Sequence, residues 1–350
     1  MNIDDVLELD DGLKLFYPAV CKIEINSITS ISVPKENTLF FLKEYRFYKS
    51  WHDTVIADKK KPWLKTGAIV DKKLLEDEDK KTFISSNVGF IIESDNVDLS
   101  ICLLSKVFYD EKFGKKNDLD DGRDTGTAKI HPTVLIAKGV FIGEGVQIDE
   151  NVKIHSGCVI MSGTKIKKST VLYPNVTIYY DVEIGENCRL HSGVVVGADG
   201  FGYKNIDGIH RKIWHTGSVI IKDKVEIGAL SSVDSGTFTP TIIGEGTIID
   251  NQVQIGHNSQ LGKGVILCGQ SGTSGSAIVG DYTVCGGKSG ISDGVTVGKN
   301  SQIAGNAMVN TSWPEKSILG GHPARPLREW LRGLAYVRKQ VQGQKNNKQK

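Results

Sequence analysis

The sequence predicts a mainly β protein: a parallel β-helix of six-residue repeats, with a small N-terminal α/β domain and a C-terminal helix. First, an aliphatic or small residue returns every six positions from Ile130 onward, a period that fits neither an α-helix nor an alternating strand. Second, the 39 glycines outnumber the 9 prolines and fall mainly after residue 136 at fixed spacing, which indicates repeated tight turns. Third, residues 1–115 show no such repeat and therefore form a separate unit.

The change of pattern divides the chain into four parts. We predict an α/β domain over residues 1–115, a charged linker over 116–128, the β-helix over 129–321, and a basic helix with its tail over 322–350. In the first part, five aromatic residues fall between positions 39 and 48. Taken alone, this run favours a strand that enters the core over a site that stacks a base.

The repeat predicts the size of the β-helix. Three hexads close a triangular coil of 18 residues with the repeated residue pointing inward, and stacked coils share one core. Twelve hexads in residues 130–196, three in 221–233 and twelve in 243–309 give 27, hence about nine coils. The breaks at residues 198–218 and between Val233 and Ile243 predict external loops, and a ten-residue step from Val309 to Leu319 closes the array.

The C-terminal segment is basic. Pro326 begins a predicted amphipathic helix that reaches Lys339. From Arg325 onward there are eight basic residues and one acid, Glu329. A solvated helical tail is the simpler interpretation, and a surface for an acidic protein partner is the alternative.

Composition excludes several classes of protein. A net charge of +2 provides no whole-molecule field that would attract nucleic acid or an anionic membrane. The six cysteines are scattered without a Cys-x-x-Cys pair, which is typical of reduced thiols that pack as small hydrophobes. The acidic N-terminus and the lack of an apolar run of about 18 residues predict a cytoplasmic, unprocessed chain without a membrane-spanning segment.

One histidine, His257, best fits a catalytic role. Gly275 follows it by 18 residues, so the two positions are one full coil apart and stack on each other. Asp250 lies on the preceding hexad, near the same corner in this interpretation. An imidazole base, a glycine N–H for an oxyanion and an orienting carboxylate are the parts that acyl transfer needs. His155 and His191, which are 36 residues apart, are interpreted as stacked surface histidines.

Several motifs follow one another in a specific order from residue 191 to residue 258. They read HSGVVVGADGFGY, VEIG, VDSGT and IIDNQVQIGHN, and they continue in Gly275-Ser276, in GHPA at 321–324 and in Trp330-Leu331. This order resembles the UDP-3-O-acylglucosamine N-acyltransferases, hexapeptide acyltransferases of lipid A biosynthesis. The resemblance covers residues 130–321 and implies a left-handed β-helix, whereas general rules favour right-handed crossovers.

The resemblance assigns roles to the candidate site. It implies that His257 is the general base, that Asp250 supports this base, and that Gly275 donates the oxyanion N–H. The positions that it places in the cleft for the acceptor and the pantetheine arm are Asn251, Gln254 and Asn258.

Other positions depart from the family pattern. The family holds uracil in a Phe-Leu-x-Asn-x-x-Tyr motif, in which this chain has Phe41 and Phe47 as the two rings and Glu44 in place of the Asn. The family's Gly-His in a late coil is Asp293-Gly294 here. Its Lys-Ile-Pro-Gln run becomes Lys-Ile-Trp-His at residues 212–215, which alters the loop over the acceptor.

The expected function follows from this resemblance. It implies transfer of a 3-hydroxyacyl chain from acyl carrier protein to the 2-amino group of a UDP-3-O-acylglucosamine or its 3-amino analogue. It also implies a homotrimer, with no metal and no cofactor beyond the phosphopantetheine of the donor. The basic C-terminal helix suits an acidic carrier protein. The alternatives are an acetyl-coenzyme A dependent sugar N-acyltransferase of the hexapeptide type and a non-catalytic β-helix scaffold.

Overall fold

The computed structural model describes residues 1–17, 23–57, 62–116, 119–321 and 326–347. It confirms the predicted fold class, a left-handed parallel β-helix with a small N-terminal α/β region and a C-terminal helix. Cys21 and residues 322–324 of the closing motif lie outside the described residues. Within the described residues, no helix has both the length and the apolarity needed to cross a membrane.

The N-terminal region is a five-stranded sheet with helices on both faces. The strand order is β1-β5-β4-β3-β2, with β1 antiparallel to β5 and the other pairs parallel. The strands are β1 (Leu13–Tyr17), β2 (Ser27–Ile28), β3 (Thr38–Leu42), β4 (Gly67–Asp71) and β5 (Phe90–Ser94). The helices are α1 (Ile3–Leu7), α2 (Tyr45–Ala57), α3 (Lys72–Leu75), α4 (Glu78–Asn87) and α5 (Val97–Phe113), with a 3-10 turn at Pro62–Lys65.

Strand alternation explains why this sheet has two cores. Along β3, Phe41 packs in the cluster that contains Phe108 of α5, whereas Phe40 faces the opposite cluster with Trp51. The predicted core strand in the aromatic run is therefore present. After a short turn the run enters α2, which the sequence analysis did not predict. Helix α5 ends at Phe113, and the first strand of the β-helix begins at Lys129.

The β-helix has three parallel faces with nine or ten strands each, in agreement with the nine predicted coils. Face 1 comprises Leu135–Ile136, Lys153–Ile154, Val171–Leu172, Arg189–Leu190, Glu226–Ile227, Ile248–Ile249, Ile266–Leu267, Val284–Cys285, Gln302–Ile303 and Ile318–Leu319. Face 2 comprises Phe141–Ile142, Val159–Ile160, Thr177–Ile178, Val195–Asp199, Ser232–Ser235, Gln254–Ile255, Gly272–Thr273, Gly290–Ile291 and Met308–Val309. Face 3 comprises Lys129–Ile130, Gln147–Ile148, Lys165–Ile166, Glu183–Ile184, Val219–Ile221, Thr241–Ile243, Gln260–Leu261, Ile278–Val279 and Thr296–Val297.

Each hexad supplies one inward aliphatic residue and one sharp turn. The inward residues form a single core that runs along the β-helix. Three positions after the inward residue the backbone has a positive φ, as at Asn258 (φ 60°), which explains the recurrence of Asn and Gly there. Of the predicted small-hydrophobe cysteines, Cys188 and Cys285 are buried in this core, and burial raises the pKa of their thiols to about 11 and about 12.

The predicted breaks are loops, and the predicted terminal helix is present. The first break contains an antiparallel hairpin, Tyr203–Ile206 with Ile209–Lys212. In the second break, Gly236 donates a backbone hydrogen bond to the carbonyl of Ser218 at 2.9 Å, which ties the two breaks together. Helix α6 extends over Leu327–Asn347.

Candidate active site

His257 occupies a narrow slot on the turn after the strand Gln254–Ile255 of face 2. The register pairs Ile255 with Thr273, so Gly275 lies in the next coil, directly beside His257. A Cβ built on Gly275 would lie 2.6 Å from the His257 Nε2, and one built on Gly200 would lie 2.7 Å from the His257 Cβ. The half-buried imidazole thus fits between two glycines, one from the first break and one from the following coil.

The tautomer of His257 is determined by Asn258. The Asn258 Nδ2 donates to the Thr239 carbonyl at 2.8 Å and its Oδ1 accepts from the Thr237 amide at 3.0 Å, so this oxygen is an acceptor. The His257 Nδ1 lies 3.1 Å from the same oxygen and therefore carries the proton. The Thr237 hydroxyl donates to Asn258, so it too can only accept from Nδ1. Nε2 is left with its lone pair, as a general base requires.

Gly275 supplies a free N–H next to this base. The residue is buried, and its amide donates no hydrogen bond to any part of the chain that the structure describes. A buried N–H without an acceptor is costly and is usually satisfied by a ligand or water. The arrangement of Gly275 and His257 therefore suits a developing oxyanion beside a proton acceptor.

The predicted position of Asp250 is wrong. Asp250 follows the strand Ile248–Ile249 of face 1, whereas His257 follows a strand of face 2, so the two residues lie at different corners of the coil. Only multiples of 18 residues return to the same corner, and seven residues do not. The Asp250 carboxylate accepts from the amides of Gly269 and Asn251, at 2.8 and 2.7 Å. Asn251 in turn accepts from the Ala229 amide at 2.7 Å.

Asp234 is a carboxylate that interacts with the candidate base, and the sequence analysis did not select it. The Gln254 Nε2 donates to the Asp234 Oδ1 at 2.9 Å. Burial raises the pKa of the Asp234 carboxyl, while Gln254 and His257 act in the opposite direction. Asp234 belongs to the VDSGT motif, which was the only sequence signal for it.

The predicted uracil-binding residues are dispersed around α2 and β3. The Phe41 ring is buried and lies 6.2 Å from the ring of Phe238. Phe47 is half-buried under the Arg46 guanidinium, and the Glu44 carboxylate pairs with Arg46 at 3.1 Å. Phe238 follows Thr237 in the second break, so this loop links the α/β sheet to the His257 turn.

The hairpin of the first break is docked on α5. Trp214 packs against Tyr109 with ring centroids 4.8 Å apart, and its amide donates to the Ser105 hydroxyl at 3.1 Å. A cavity of about 390 Å³ lies between α5, the β-helix and this loop, with Tyr109, Asp199 and His215 among its lining residues. A larger opening of about 720 Å³ surrounds His131 in the first coil and includes no candidate residue.

His215 is a second imidazole beside the candidate base. Its ring centroid lies 5.4 Å from that of His257, with the planes at 74°. The sequence showed His215 only as a departure in the loop. Asp293 approaches from the other side, 3.0 Å from a Cβ built on Gly275, and the neighbouring Gly294 is exposed at φ 66°.

His155 and His191 do stack, but Tyr173 lies between them. The ring centroids are 5.3 and 4.7 Å apart along the column, and the His191 Nε2 lies 2.8 Å from Glu226. Among the described residues, no group of three or more His, Cys, Asp or Glu side chains is arranged to hold a metal ion.

Comparisons with known proteins find similar proteins that carry the name of the family that the motifs resemble. A UDP-3-O-acylglucosamine N-acyltransferase of Pseudomonas fluorescens is 45% identical over 168 residues, 48% of each chain. A protein of the same name from Shewanella denitrificans is 54% identical over 91 residues, 26% of this chain and 27% of its own. The chain thus matches about half, or less, of the length of these relatives.

Two further comparisons match a family model and a solved structure. A family model described as the GMPPB C-terminal domain matches residues 125–200. A solved UDP-N-acetylglucosamine acyltransferase of Campylobacter jejuni is 26% identical with a TM-score of 0.43, over 53% of this chain and 68% of that one. Over the matched residues, the chain is a homologue of the UDP-3-O-acylglucosamine N-acyltransferases, and the resemblance inferred from its motifs is confirmed.

Proposed function

We propose that this protein transfers a 3-hydroxyacyl chain from acyl carrier protein to the 2-amino group of a UDP-3-O-acylglucosamine, or of its 3-amino analogue. The observation that carries the proposal is the juxtaposition of the free Nε2 of His257 with the unpartnered N–H of Gly275. The names of the curated homologues supply the substrate class.

In the proposed mechanism the amine attacks the thioester carbon while the His257 Nε2 accepts its proton. The Gly275 N–H stabilises the oxyanion of the tetrahedral intermediate. On collapse the C–S bond breaks, the amide remains, and the proton on His257 passes to the departing pantetheine thiolate. Asn258 fixes the tautomer that makes this sequence possible.

Further parts of the proposal concern substrates and partners. Phe41, Glu44 and Phe47 are the candidates for holding uracil, and Asn251 and Gln254 for lining the cleft. The exposed helix α6, with Arg328, Arg332, Arg338 and Lys339, is the candidate surface for the acidic carrier protein. We also propose a cytoplasmic homotrimer with its sites in the clefts between copies.

The test is a donor panel read by mass spectrometry. The full chain is incubated with 3-hydroxyacyl carrier proteins of different chain lengths, or with acetyl-coenzyme A, and with UDP-3-O-acylglucosamine or its 3-amino analogue. We expect acylation of the amine from a hydroxyacyl carrier protein, and a kcat that falls about 10²–10⁴-fold in His257→Ala. A folded His257→Ala protein of normal rate contradicts the catalytic assignment, and a wild-type protein inactive with every donor favours a scaffold.

A further inference from the structure

His215 is a buried histidine that the proposed mechanism does not use. Its side chain is 1% exposed. Nδ1 lies 3.1 Å from the carbonyl oxygen of Ile213, which can only accept, so Nδ1 carries the proton of the neutral ring. Nε2 is buried and has no hydrogen-bond partner among the described residues. Such a nitrogen disfavours folding, and native proteins keep few of them except at functional sites.

We infer that His215 is a positioning residue for His257: a neutral imidazole that holds the ring of the base in place and stabilises it once it has gained the proton. The catalytic part of this inference rests on the proposed function. The contact is direct, with centroids 5.4 Å apart in an edge-on arrangement. Two imidazolium ions at this separation repel each other, which disfavours a state in which both rings are charged.

Burial keeps the His215 ring neutral. Burial lowers the pKa of His215 to about 4, and His257 acts in the same direction against the opposing effect of Asp199. His257 is half-buried and faces the slot next to Gly275. The charged groups that act on His215 are Asp199, which raises its pKa, and Lys212 and His257, which lower it; Asp199 and Lys212 pair with each other at 2.6 Å. His215 therefore stays neutral and does not take the proton that His257 accepts from the amine.

Two contacts of the loop hold His215 beside His257. The Gly202 backbone packs against its Cε1, since a Cβ there would lie 2.8 Å away. The loop that carries it is anchored by the Trp214 amide on Ser105. His215 stands where the resembled family has the Gln of Lys-Ile-Pro-Gln, so a Gln variant tests an acceptor of similar reach without an aromatic ring.

The test compares His215→Leu and His215→Gln with the wild type. For His215→Leu we expect kcat to fall about tenfold with KM for both substrates within about twofold. We also expect the acid limb of the kcat/KM profile to move to lower pH by about 0.5–1 unit, because the imidazolium of His257 loses its stabilising neighbour. His215→Gln retains an acceptor oxygen. We expect its kcat and the acid limb of its kcat/KM profile to lie between those of the wild type and of His215→Leu. The melting temperature of His215→Leu should change little, because the variant removes an unpartnered buried nitrogen and also the donor to the Ile213 carbonyl.

A second readout does not depend on activity. In chains labelled at the histidine Cε1, the NMR signal of His215 should not titrate above about pH 5. The signal of His257 should titrate at lower pH in His215→Leu than in the wild type. A His257 titration that is the same in both proteins overturns the inference, as does lost activity accompanied by a lower melting temperature and an unmoved acid limb. A wild type that transfers no acyl chain refutes the proposed function alone, because the NMR comparison still decides the role of His215.

Discussion

At the scale of single residues, the candidate site depends on the absence of a side chain at position 275. Gly275 leaves room for the His257 ring, and a methyl group there would lie 2.6 Å from both Nε2 and Cε1. Gly275 is not among the positive-φ glycines, so alanine fits its backbone. The atoms that must give way are the far ends of two side chains, His257 and Asp293, and the fold should therefore tolerate the change.

We predict that Gly275→Ala abolishes most activity while leaving the fold intact. The displaced imidazole no longer reaches the amine, so kcat should fall about 100-fold or more, since misplacement by about 1 Å has this effect. Gly287→Ala is the matched control, because a Cβ there meets its nearest atom at 3.4 Å. Steady-state kinetics and thermal melting of both variants provide the measurement. Equal kinetics for the two variants would remove Gly275 from the site.

The sequence predicts correctly which residues lie side by side when they are separated by the 18-residue period of a full coil. It placed Gly275 beside His257 because whole coils return to the same corner. It misplaced Asp250, because neighbouring hexads turn at different corners. It could not give the role of Asn258, which depends on hydrogen bonds to the loop at Thr237, or that of His215, which depends on its contact with His257.

At the scale of elements, the docking of the first break on α5 positions the groups around His257. Trp214 lies on Tyr109 and under the Lys212 ammonium, 4.4 Å from the ring centroid. Lys204 of the hairpin pairs with Asp98 of α5 at 3.3 Å. The Gly200 and His215 backbones are the two ends of this docked segment. Trp214, which stands in place of the Pro of the family motif, therefore anchors the loop on α5.

We predict that Trp214→Ala lowers the free energy of unfolding by about 1–3 kcal/mol and raises KM for the UDP-sugar acceptor. The loss follows from the half-buried ring, which packs against Tyr109 and lies under the ammonium groups of Lys212 and Lys106. Urea denaturation and acceptor titration measure the two effects. Trp330→Ala is the control, since Trp330 is 40% exposed on α6 and should leave both values unchanged. An unchanged acceptor KM in Trp214→Ala would separate this loop from substrate binding.

The hexad period predicts strands well because one short strand and one turn recur with the same spacing, whatever the surrounding structure. The hairpin of Tyr203–Ile206 and Ile209–Lys212 carries no such repeat and was predicted only as a loop. Helix α2 begins within an aromatic run whose composition favours strands, so its helical form is determined by packing of Trp51 against Phe40.

At the scale of the whole molecule, face 1 presents an apolar stripe to solvent. Ile248 is 50% exposed and Ile266 is 37% exposed, and they are paired in adjacent coils, with Val284 next in register. Single exposed apolar residues are ordinary, whereas contiguous ones mark interaction surfaces. Three copies related by a threefold axis would each cover this stripe.

We predict that the double variant Ile248→Glu with Ile266→Glu is monomeric, whereas the wild type is a trimer. The six added carboxylates in a trimer would be desolvated close to one another, which disfavours assembly. The control is Ile278→Glu, since Ile278 is 42% exposed on face 3 but is flanked in register by Gln260 and Thr296. Light scattering after size exclusion gives the mass of each protein.

Because the proposed sites lie between copies, the monomeric variant should also lose transferase activity while keeping its β-helix, as measured by circular dichroism. A double variant of unchanged mass would place the interface on another face.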